Sequence, residues 1–165
     1  MKEQLVFRQL FDAETSTFSY LLGDQVAGVC VLIDPVEKNI DRDLLLIEQL
    51  GLRLIYSLET HCHADHVTAA WVLSQKCGAK IVVSKNYGGE NAHILVGTED
   101  VIKFGSLKLN VRETPGHTKG CVTYVLHDYK MAFTGDSLLI RGCGRTDFQQ
   151  GNAKNLYNSV KYQIF

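Results

Sequence analysis

The sequence lacks the features that mark exported and membrane-spanning proteins. No apolar run approaches the roughly 20 residues that a transmembrane helix needs. The N-terminal stretch has no apolar signal-peptide core, and it carries acidic residues that a transit peptide avoids. The five cysteines are scattered, odd in number and without a C-x-x-C pair, which favours a reducing compartment over a disulfide framework. These absences predict a cytoplasmic protein, or a mitochondrial matrix protein if the chain is a processed eukaryotic form.

An excess of charge of one sign is also missing. The chain has 17 Lys and Arg against 18 Asp and Glu, so it offers neither a basic stripe nor an acidic tail. This balance argues against nucleic acid as a partner and against disorder. Only two prolines and no Ser/Gly-rich tract interrupt the 165 residues. We therefore expect a single domain over residues 1–165, with no membrane contact.

The order of segments predicts an α/β protein with a mixed sheet and helices packed outside it. Residues 18–22 and 26–33 predict a hairpin that turns at Gly23-Asp24. Residues 39–50 and 68–77 predict helices, each followed by a glycine. The remaining predictions are strands at 54–58, 80–84, 101–104, 107–113, 121–126 and 131–134, a loop at 85–99 and a helix at 152–160.

The stretch ETHCHADH, residues 59–66, places three histidines and an aspartate within six residues. His61 and His63 are two apart, so an extended backbone would point both rings to one side, where they could converge on one ion. Asp65 and His66 follow at the turn into the next helix and face a neighbouring point. So dense a set is hard to explain as a solvated loop. It predicts a site for one or two metals at the C-terminal end of a strand.

Two later segments offer partners for this cluster. TPGH, residues 114–117, places His117 after a predicted strand, with Gly116 free to adopt a positive φ. FTGD, residues 133–136, places Asp136 at the end of another strand. Each would be an ordinary loop residue if it stood alone. Histidine nitrogen with carboxylate oxygen suits zinc or non-haem iron, and two histidines with one carboxylate form the ligand set of Fe(II) oxygenases.

The segments THCHADH, TPGHT and FTGD resemble the metallo-β-lactamase superfamily. That resemblance implies an αββα sandwich with metal at the strand ends between two sheets. The next stretch, LLIRGCGRTDFQQG, is similar to the persulfide dioxygenases of that superfamily, as is Cys62 between two histidines. The resemblance covers nearly the whole chain. The family continues well past residue 165, so the chain is expected to be a fragment that lacks the last strands and helices of the fold.

The resemblance also implies an activity. Persulfide dioxygenases oxidise glutathione persulfide with O2 to sulfite and glutathione, and they use one Fe(II) per chain. Carried over residue by residue, the implied iron ligands are His61, His117 and Asp136. Three further residues match positions that serve a second metal in relatives and are expected here to orient the ligands through hydrogen bonds. These residues are His63, Asp65 and His66.

The substrate suggests further candidates, because glutathione carries two carboxylates that need cations. Arg145 is the first candidate, against the alternative of an arginine that bridges loops, and Arg141 and Lys119 are weaker ones. Cys143 either relays a persulfide or senses oxidation, or it packs as a small apolar side chain between two glycines, and the last reading is favoured. Asp34 is expected to stabilise the metal loops without binding metal.

Two other functions stay open at this point. One is a two-metal acylglutathione thioester hydrolase of the glyoxalase II type, which the ligand positions fit equally well and which only the segment TDFQQG disfavours. The other is a non-catalytic module of a larger protein, such as a rhodanese fusion. One bound iron with O2 uptake would support the dioxygenase, and two metals with thioester cleavage would support the hydrolase. The sequence leaves open a homodimer and a rhodanese partner.

Overall fold

The computed structural model describes residues 4–88 and 90–165, which form two compact units. The first unit comprises the residues up to Glu59 together with His63–Val82 and Lys103–Leu107. The second comprises Thr60–Cys62, Val83–Ile102 and Lys108–Phe165. The single domain expected from the sequence stays a prediction.

Six strands hydrogen-bond in the order in which they follow one another along the chain. They are β1 (Leu5–Asp12), β2 (Thr17–Asp24), β3 (Val29–Ile33), β4 (Arg53–Leu58), β5 (Lys80–Ser84) and β6 (Ile94–Val96). β1, β2 and β3 pair antiparallel, whereas β3, β4 and β5 pair parallel. The predicted mixed sheet is therefore confirmed.

Two helices connect the parallel strands, because a parallel pair needs a crossover longer than a turn. They are α1 (Ile40–Gln49) and α2 (Ala70–Cys77). Each buries one apolar stripe, in which Ile40 and Ile47 of α1 and Leu73 of α2 belong to the core cluster of the first unit. The strands contribute Leu21 and Leu32 to the same cluster. The histidine cluster begins in the loop that follows β4.

Four further strands form a second sheet in the order β10-β9-β8-β7. They are β7 (Val101–Phe104), β8 (Leu107–Glu113), β9 (Val122–Leu126) and β10 (Met131–Phe133). A third helix, α3 (Ala153–Ser159), starts where the Asn152 side chain accepts a hydrogen bond from the Asn155 backbone N–H, and it continues as a π-helical turn over Val160–Ile164. None of the helices in the described part of the chain is long and apolar enough to cross a membrane.

The structure corrects three details of the predicted elements. β1 was not predicted and pairs with β2 along its whole length. The hairpin turn lies after Gly23-Asp24, because the Asp24 carboxylate accepts hydrogen bonds from the backbone N–H groups of Val26 and Ala27 and Gly28 then adopts φ +66°. The predicted loop at 85–99 contains the short strand β6.

Candidate metal centre

His61 lies in the irregular loop that follows β4, and it is almost fully buried. Its Nδ1 atom lies 2.9 Å from Thr60 Oγ1, in a hydrogen bond that fixes the orientation of the ring. The Thr60 carbonyl in turn accepts a hydrogen bond from the Val122 backbone N–H, at 2.8 Å. The first residue of β9 therefore anchors the backbone next to His61.

His117 follows β8, and its ring is also oriented through Nδ1. Its Nδ1 atom donates a hydrogen bond to the Arg145 carbonyl, 2.7 Å away. A carbonyl oxygen can only accept, so Nδ1 carries the proton and Nε2 presents its lone pair. Gly116, just before it, has the positive φ that the sequence predicted (+150°), and a Cβ there would lie 2.3 Å from Leu156 Cα. Only glycine fits this approach of the His117 loop to α3.

Asp136 lies in the turn after β10, with its Oδ2 atom 3.5 Å from Nε2 of His117. Its side chain is 42% exposed, far more than either histidine. Two glycines leave the space that this arrangement occupies. A Cβ at Gly135 would lie 2.3 Å from Thr60 Oγ1, and one at Gly144 would lie 2.7 Å from both Asp136 Cβ and His117 Nδ1.

The three side chains form one group of potential metal ligands. Their ligand atoms all lie within 4.8 Å of one another, and the imidazole rings of His61 and His117 meet edge to face at 4.9 Å. Two imidazole nitrogens and one carboxylate oxygen suit zinc or non-haem iron and leave coordination positions open. The donor set, with the proton of His117 fixed on the atom away from the group, fits a bound divalent metal.

A second group contains His63, Asp65 and His66, whose ligand atoms also lie within 4.8 Å of one another. The Asp65 Oδ1 atom lies 3.6 Å from His63 Nδ1 and 3.3 Å from His66 Nδ1. Thr17 Oγ1 contacts the other Asp65 oxygen at 3.2 Å and His66 Nδ1 at 3.3 Å. The His66 side chain is 1% exposed, and its Nε2 atom has no hydrogen-bond partner among the described residues.

His63 also faces two buried carboxylates. Its Nε2 atom lies 3.2 Å from Asp34 Oδ1 and 3.7 Å from Glu59 Oε2. Burial alone would lower the pKa of His63, but the Asp34 and Asp65 carboxylates outweigh it and raise that pKa well above its usual range. Burial and then the charge of Asp34 raise the pKa of Glu59, while Thr68 Oγ1 donates to the other Glu59 oxygen. Both ring nitrogens of His63 therefore point at carboxylate oxygens.

Comparison with known proteins agrees with this geometry. The family model of the metallo-beta-lactamase superfamily matches residues 13–164. The chain belongs to the metallo-beta-lactamase superfamily. This confirms the fold class that the three histidine and aspartate motifs implied, and it places the candidate ligands in a family that binds metal.

Within the superfamily, the chain is similar to proteins named persulfide dioxygenase ETHE1. It is 53% identical over 162 residues to the mitochondrial protein of that name from Mus musculus, an alignment that covers 98% of this chain and 63% of the relative. The crystal structure of ETHE1 from Myxococcus xanthus matches with a TM-score of 0.92 and 47% identity, over 95% of this chain and 68% of that one. The resemblance drawn from the motifs is confirmed.

A hydrolase is also among the relatives. The chain is 36% identical over 153 residues to the hydroxyacylglutathione hydrolase of Rhizobium meliloti, which covers 92% of this chain and 58% of that protein. The chain thus spans less than two thirds of the length of these curated relatives.

The structure separates two histidines that the sequence placed together. Their spacing alone would have allowed His61 and His63 to converge on one ion, but His61 groups with His117, whereas His63 groups with Asp65 and with Asp34, as the resemblance implied for His61 and His117. The reason is the backbone, since residues 59–66 form bends and irregular loop rather than extended strand, so the two-residue alternation does not apply. The expectation that Asp34 would support the metal loop agrees with its contact to His63.

The candidate substrate residues lie on or near the surface. The Arg145 guanidinium grips the Asp147 carboxylate through two hydrogen bonds of 2.7 and 3.0 Å and lies 5.7 Å from the centre of the Phe148 ring. Arg141 is exposed and adopts φ +65°. Cys143 is exposed, so the favoured reading of a thiol packed between glycines is wrong. Of its two neighbouring glycines, Gly144 is buried and Gly142 is exposed.

Sequence reasoning missed the residues that orient the histidines. Thr60 directly precedes His61, and a hydroxyl beside a candidate metal-binding histidine is a signal that the motif carried. The Arg145 carbonyl acts through the main chain, so its residue type says nothing about the contact. Arg145 was therefore named for its side chain, whereas its carbonyl is the group that contacts the candidate centre.

Proposed function

We propose that this protein oxidises glutathione persulfide with O2 to sulfite and glutathione, as an Fe(II)-dependent dioxygenase. The carrying observation is the group of His61, His117 and Asp136, which offers two imidazoles and one carboxylate within 4.8 Å. The similarity to proteins named persulfide dioxygenase, at 53% identity over 98% of the chain, supports the same reaction. The balanced reaction consumes one persulfide, one O2 and one water, and it moves the terminal sulfur of the persulfide into sulfite.

His61, His117 and Asp136 would hold the iron, which when bound would supply the redox chemistry that lets triplet O2 react with a closed-shell sulfur compound. The chain contributes orientation and access. The Arg145 carbonyl keeps the proton of His117 on Nδ1, and Thr60 fixes the ring of His61. Asp136 is the exposed member of the group, so the side of the site next to its carboxylate is open to an incoming substrate.

The substrate would be recognised through its carboxylates. Arg145 is the first candidate, because its exposed guanidinium already grips a carboxylate in the two-pronged geometry that a glutathione carboxylate would also fit. Arg141 is a second exposed cation a few residues before it. Cys143 lies between them in the sequence, and its exposed thiol is the candidate that would relay a persulfide.

A second function is supported by one specific observation. The buried Nε2 atom of His66 lacks a hydrogen-bond partner in the described part of the chain, as a ligand nitrogen awaiting a metal would. A second metal at His66 and Asp65 would suit a thioester hydrolase, and the chain is similar to a hydroxyacylglutathione hydrolase. The carboxylates of Asp34 and Asp65 near the two ring nitrogens of His63 favour the dioxygenase, because they favour a protonated ring, which cannot bind a metal.

The test loads the full chain with Fe(II) under nitrogen and measures O2 uptake and sulfite on addition of glutathione persulfide. The proposal expects one O2 consumed for each sulfite formed, and no hydrolysis of S-lactoylglutathione. Hydrolysis of that thioester without O2 uptake would select the hydrolase instead. The cytosol or the mitochondrial matrix is the proposed location, in keeping with the word mitochondrial in the name of the mouse relative.

A further inference from the structure

The segment from Arg145 to Asn152 contacts both loops that carry the histidine ligands. At its start, the Arg145 carbonyl accepts the hydrogen bond from His117 Nδ1. At its end, the Asn152 backbone N–H donates to the Gly116 carbonyl at 2.8 Å. Between these, Gln149 Nε2 donates to the Cys62 carbonyl at 3.0 Å. One short segment thus contacts Gly116, which precedes His117, and Cys62, which follows His61.

The backbone of this segment adopts an unusual conformation where Gln149 reaches out. Gln149 and Gln150 follow one another with φ values of +45° and +60°, in a region that residues with a Cβ rarely occupy. Residues in such conformations persist where their surroundings determine them, and they cluster at functional sites. Gly151 comes next, and a Cβ there would lie 2.6 Å from the Thr146 carbonyl oxygen and 2.8 Å from that of His117. The segment therefore packs directly on the backbone of a ligand residue.

Contacts within the segment hold its own shape. Arg145 pairs with Asp147 and lies over the Phe148 ring. The Gly151 backbone N–H donates to the Phe148 carbonyl at 2.8 Å, which closes the turn that contains Gln149. These local contacts close the turn. The hydrogen bond from Gln149 to Cys62 instead joins the turn to the loop that carries His61.

Hydrogen bonds hold the backbone on both sides of His61. On the N-terminal side, the Thr60 carbonyl accepts from the Val122 backbone N–H. On the C-terminal side, the Cys62 carbonyl accepts from Gln149. Thr60 and Cys62 lie outside the strands, and these two hydrogen bonds hold the backbone before and after His61. Removing the second would take away the hydrogen bond on the C-terminal side of His61.

We propose that Gln149 is a positioning residue for the metal centre, which holds His61 in place by donating to the Cys62 carbonyl. The same segment holds His117 through the Arg145 carbonyl, so that one turn sets the spacing of the two histidines. The inference rests on the proposed role of His61 and His117 as ligands. It gives the segment TDFQQG a physical role that is independent of the substrate.

The test uses Co(II) as a probe, because its visible absorption reports the geometry of its ligands. Gln149→Met removes the donor and keeps the length of the side chain. Gln150→Met is the matched control, since its exposed side chain follows directly with the same sign of φ. We expect Gln149→Met to weaken Co(II) binding about tenfold, the lower end of what lost orienting contacts cost, and to alter the spectrum of the saturated protein. Gln150→Met should match the parent in both.

Thermal melting of the metal-free proteins completes the design. Gln149→Met could have a lower melting temperature and still match Gln150→Met in Co(II) affinity and spectrum. In that case Gln149 only stabilises the fold, and the inference is overturned. A parent chain that takes up no Co(II) would overturn the inference together with its premise. An altered spectrum in a protein that shows no O2 uptake with Fe(II) and glutathione persulfide would support the positioning role and reject the dioxygenase.

Discussion

The two histidine groups share ligand chemistry but differ in what surrounds it. His61 and His117 are oriented by neutral oxygens, a hydroxyl and a carbonyl, and the one carboxylate of their group is partly exposed. His63 is oriented by the carboxylates of Asp34 and Asp65, and the first of these is buried. Neutral partners leave a histidine free to give its lone pair to a metal, whereas carboxylates at both nitrogens favour a protonated ring.

A dense motif of potential metal ligands therefore need not form a single metal site. A histidine must be neutral to bind a metal, so its partners decide its role as much as its position does. In this chain His61 belongs to the candidate iron site, whereas His63 lies among the carboxylates of Asp34, Glu59 and Asp65.

Replacing one histidine from each group should separate them most clearly. His117→Ala should weaken Fe(II) binding by more than about 100-fold, beyond the 10–100-fold that the loss of an orienting contact costs. His66→Ala should weaken Fe(II) binding by no more than about 10–100-fold, because His66 lies in the other group. Binding is measured by anaerobic titration against a chelator. Equal losses of Fe(II) affinity in the two variants would show that the two histidine groups do not differ in this role.

The buried network should matter for stability rather than for metal. Asp34→Asn removes the nearest carboxylate of His63 and keeps a residue type that tolerates the positive φ at this position, +50°. We expect the free energy of unfolding to fall by roughly 3 kcal/mol, the lower end for breaking a buried pair. Urea unfolding of the metal-free protein measures it. Asp41→Asn, at a highly exposed aspartate, is the control and should change it by less than about 1 kcal/mol.

Asp24 is a buried carboxylate that belongs to neither histidine group. Burial alone would raise its pKa, but hydrogen bonds from the backbone N–H groups of Ala27 and Ser106 outweigh burial and hold that pKa well below its usual range. Asp24→Asn should lower the free energy of unfolding by about 2 kcal/mol at pH 7, as expected for hydrogen bonds to a charged group.

The pH dependence of that difference has a definite sign. The folded pKa lies below the unfolded value of about 3.9, so the stabilisation by Asp24 is fully present above that value. It should shrink as the pH falls below about 4 and towards the folded pKa. Urea unfolding of both proteins at pH 7, 4 and 3 checks this. A difference that grows on acidification would contradict the assigned hydrogen bonds.

Arg145→Met should have the smallest effect on the fold. Its pair with Asp147 is exposed on both sides and should contribute less than about 1 kcal/mol to stability. Fe(II) affinity should be unchanged, because His117 contacts the main-chain carbonyl of residue 145. If the side chain grips a substrate carboxylate, KM for glutathione persulfide should rise about tenfold with kcat retained, which corresponds to a loss of about 1.4 kcal/mol. A large loss of iron would show that the side chain matters to the centre.

Much of this architecture could be read from the sequence, because it follows from local patterns. The helix at 39–50 and the strand at 54–58 are within one residue at each end of α1 and β4. β1 escaped notice because its exposed Arg8 and Gln9 interrupt the apolar pattern of a strand whose pairing depends on β2. A strand defined by its neighbour carries a weak signal of its own.

The candidate site was predictable in its members and not in their arrangement. His61, His117 and Asp136 come from three loops, and the motifs named them because dense histidine and aspartate are rare outside metal sites. Their partners could not be read, because a main-chain carbonyl such as that of Arg145 leaves no trace in residue type. The division between His61 and His63 depends on backbone bends that a two-residue spacing does not encode.

The most direct test of the division is the number of iron atoms that each chain binds. The full chain is loaded with excess Fe(II) under nitrogen, passed over a desalting column and assayed for iron and protein. With His63 paired to carboxylates, the structure predicts about one iron per chain, lost in His117→Ala and kept in His66→Ala. Two irons per chain, with one lost in His66→Ala, would show that both histidine groups bind metal and would contradict the account given above.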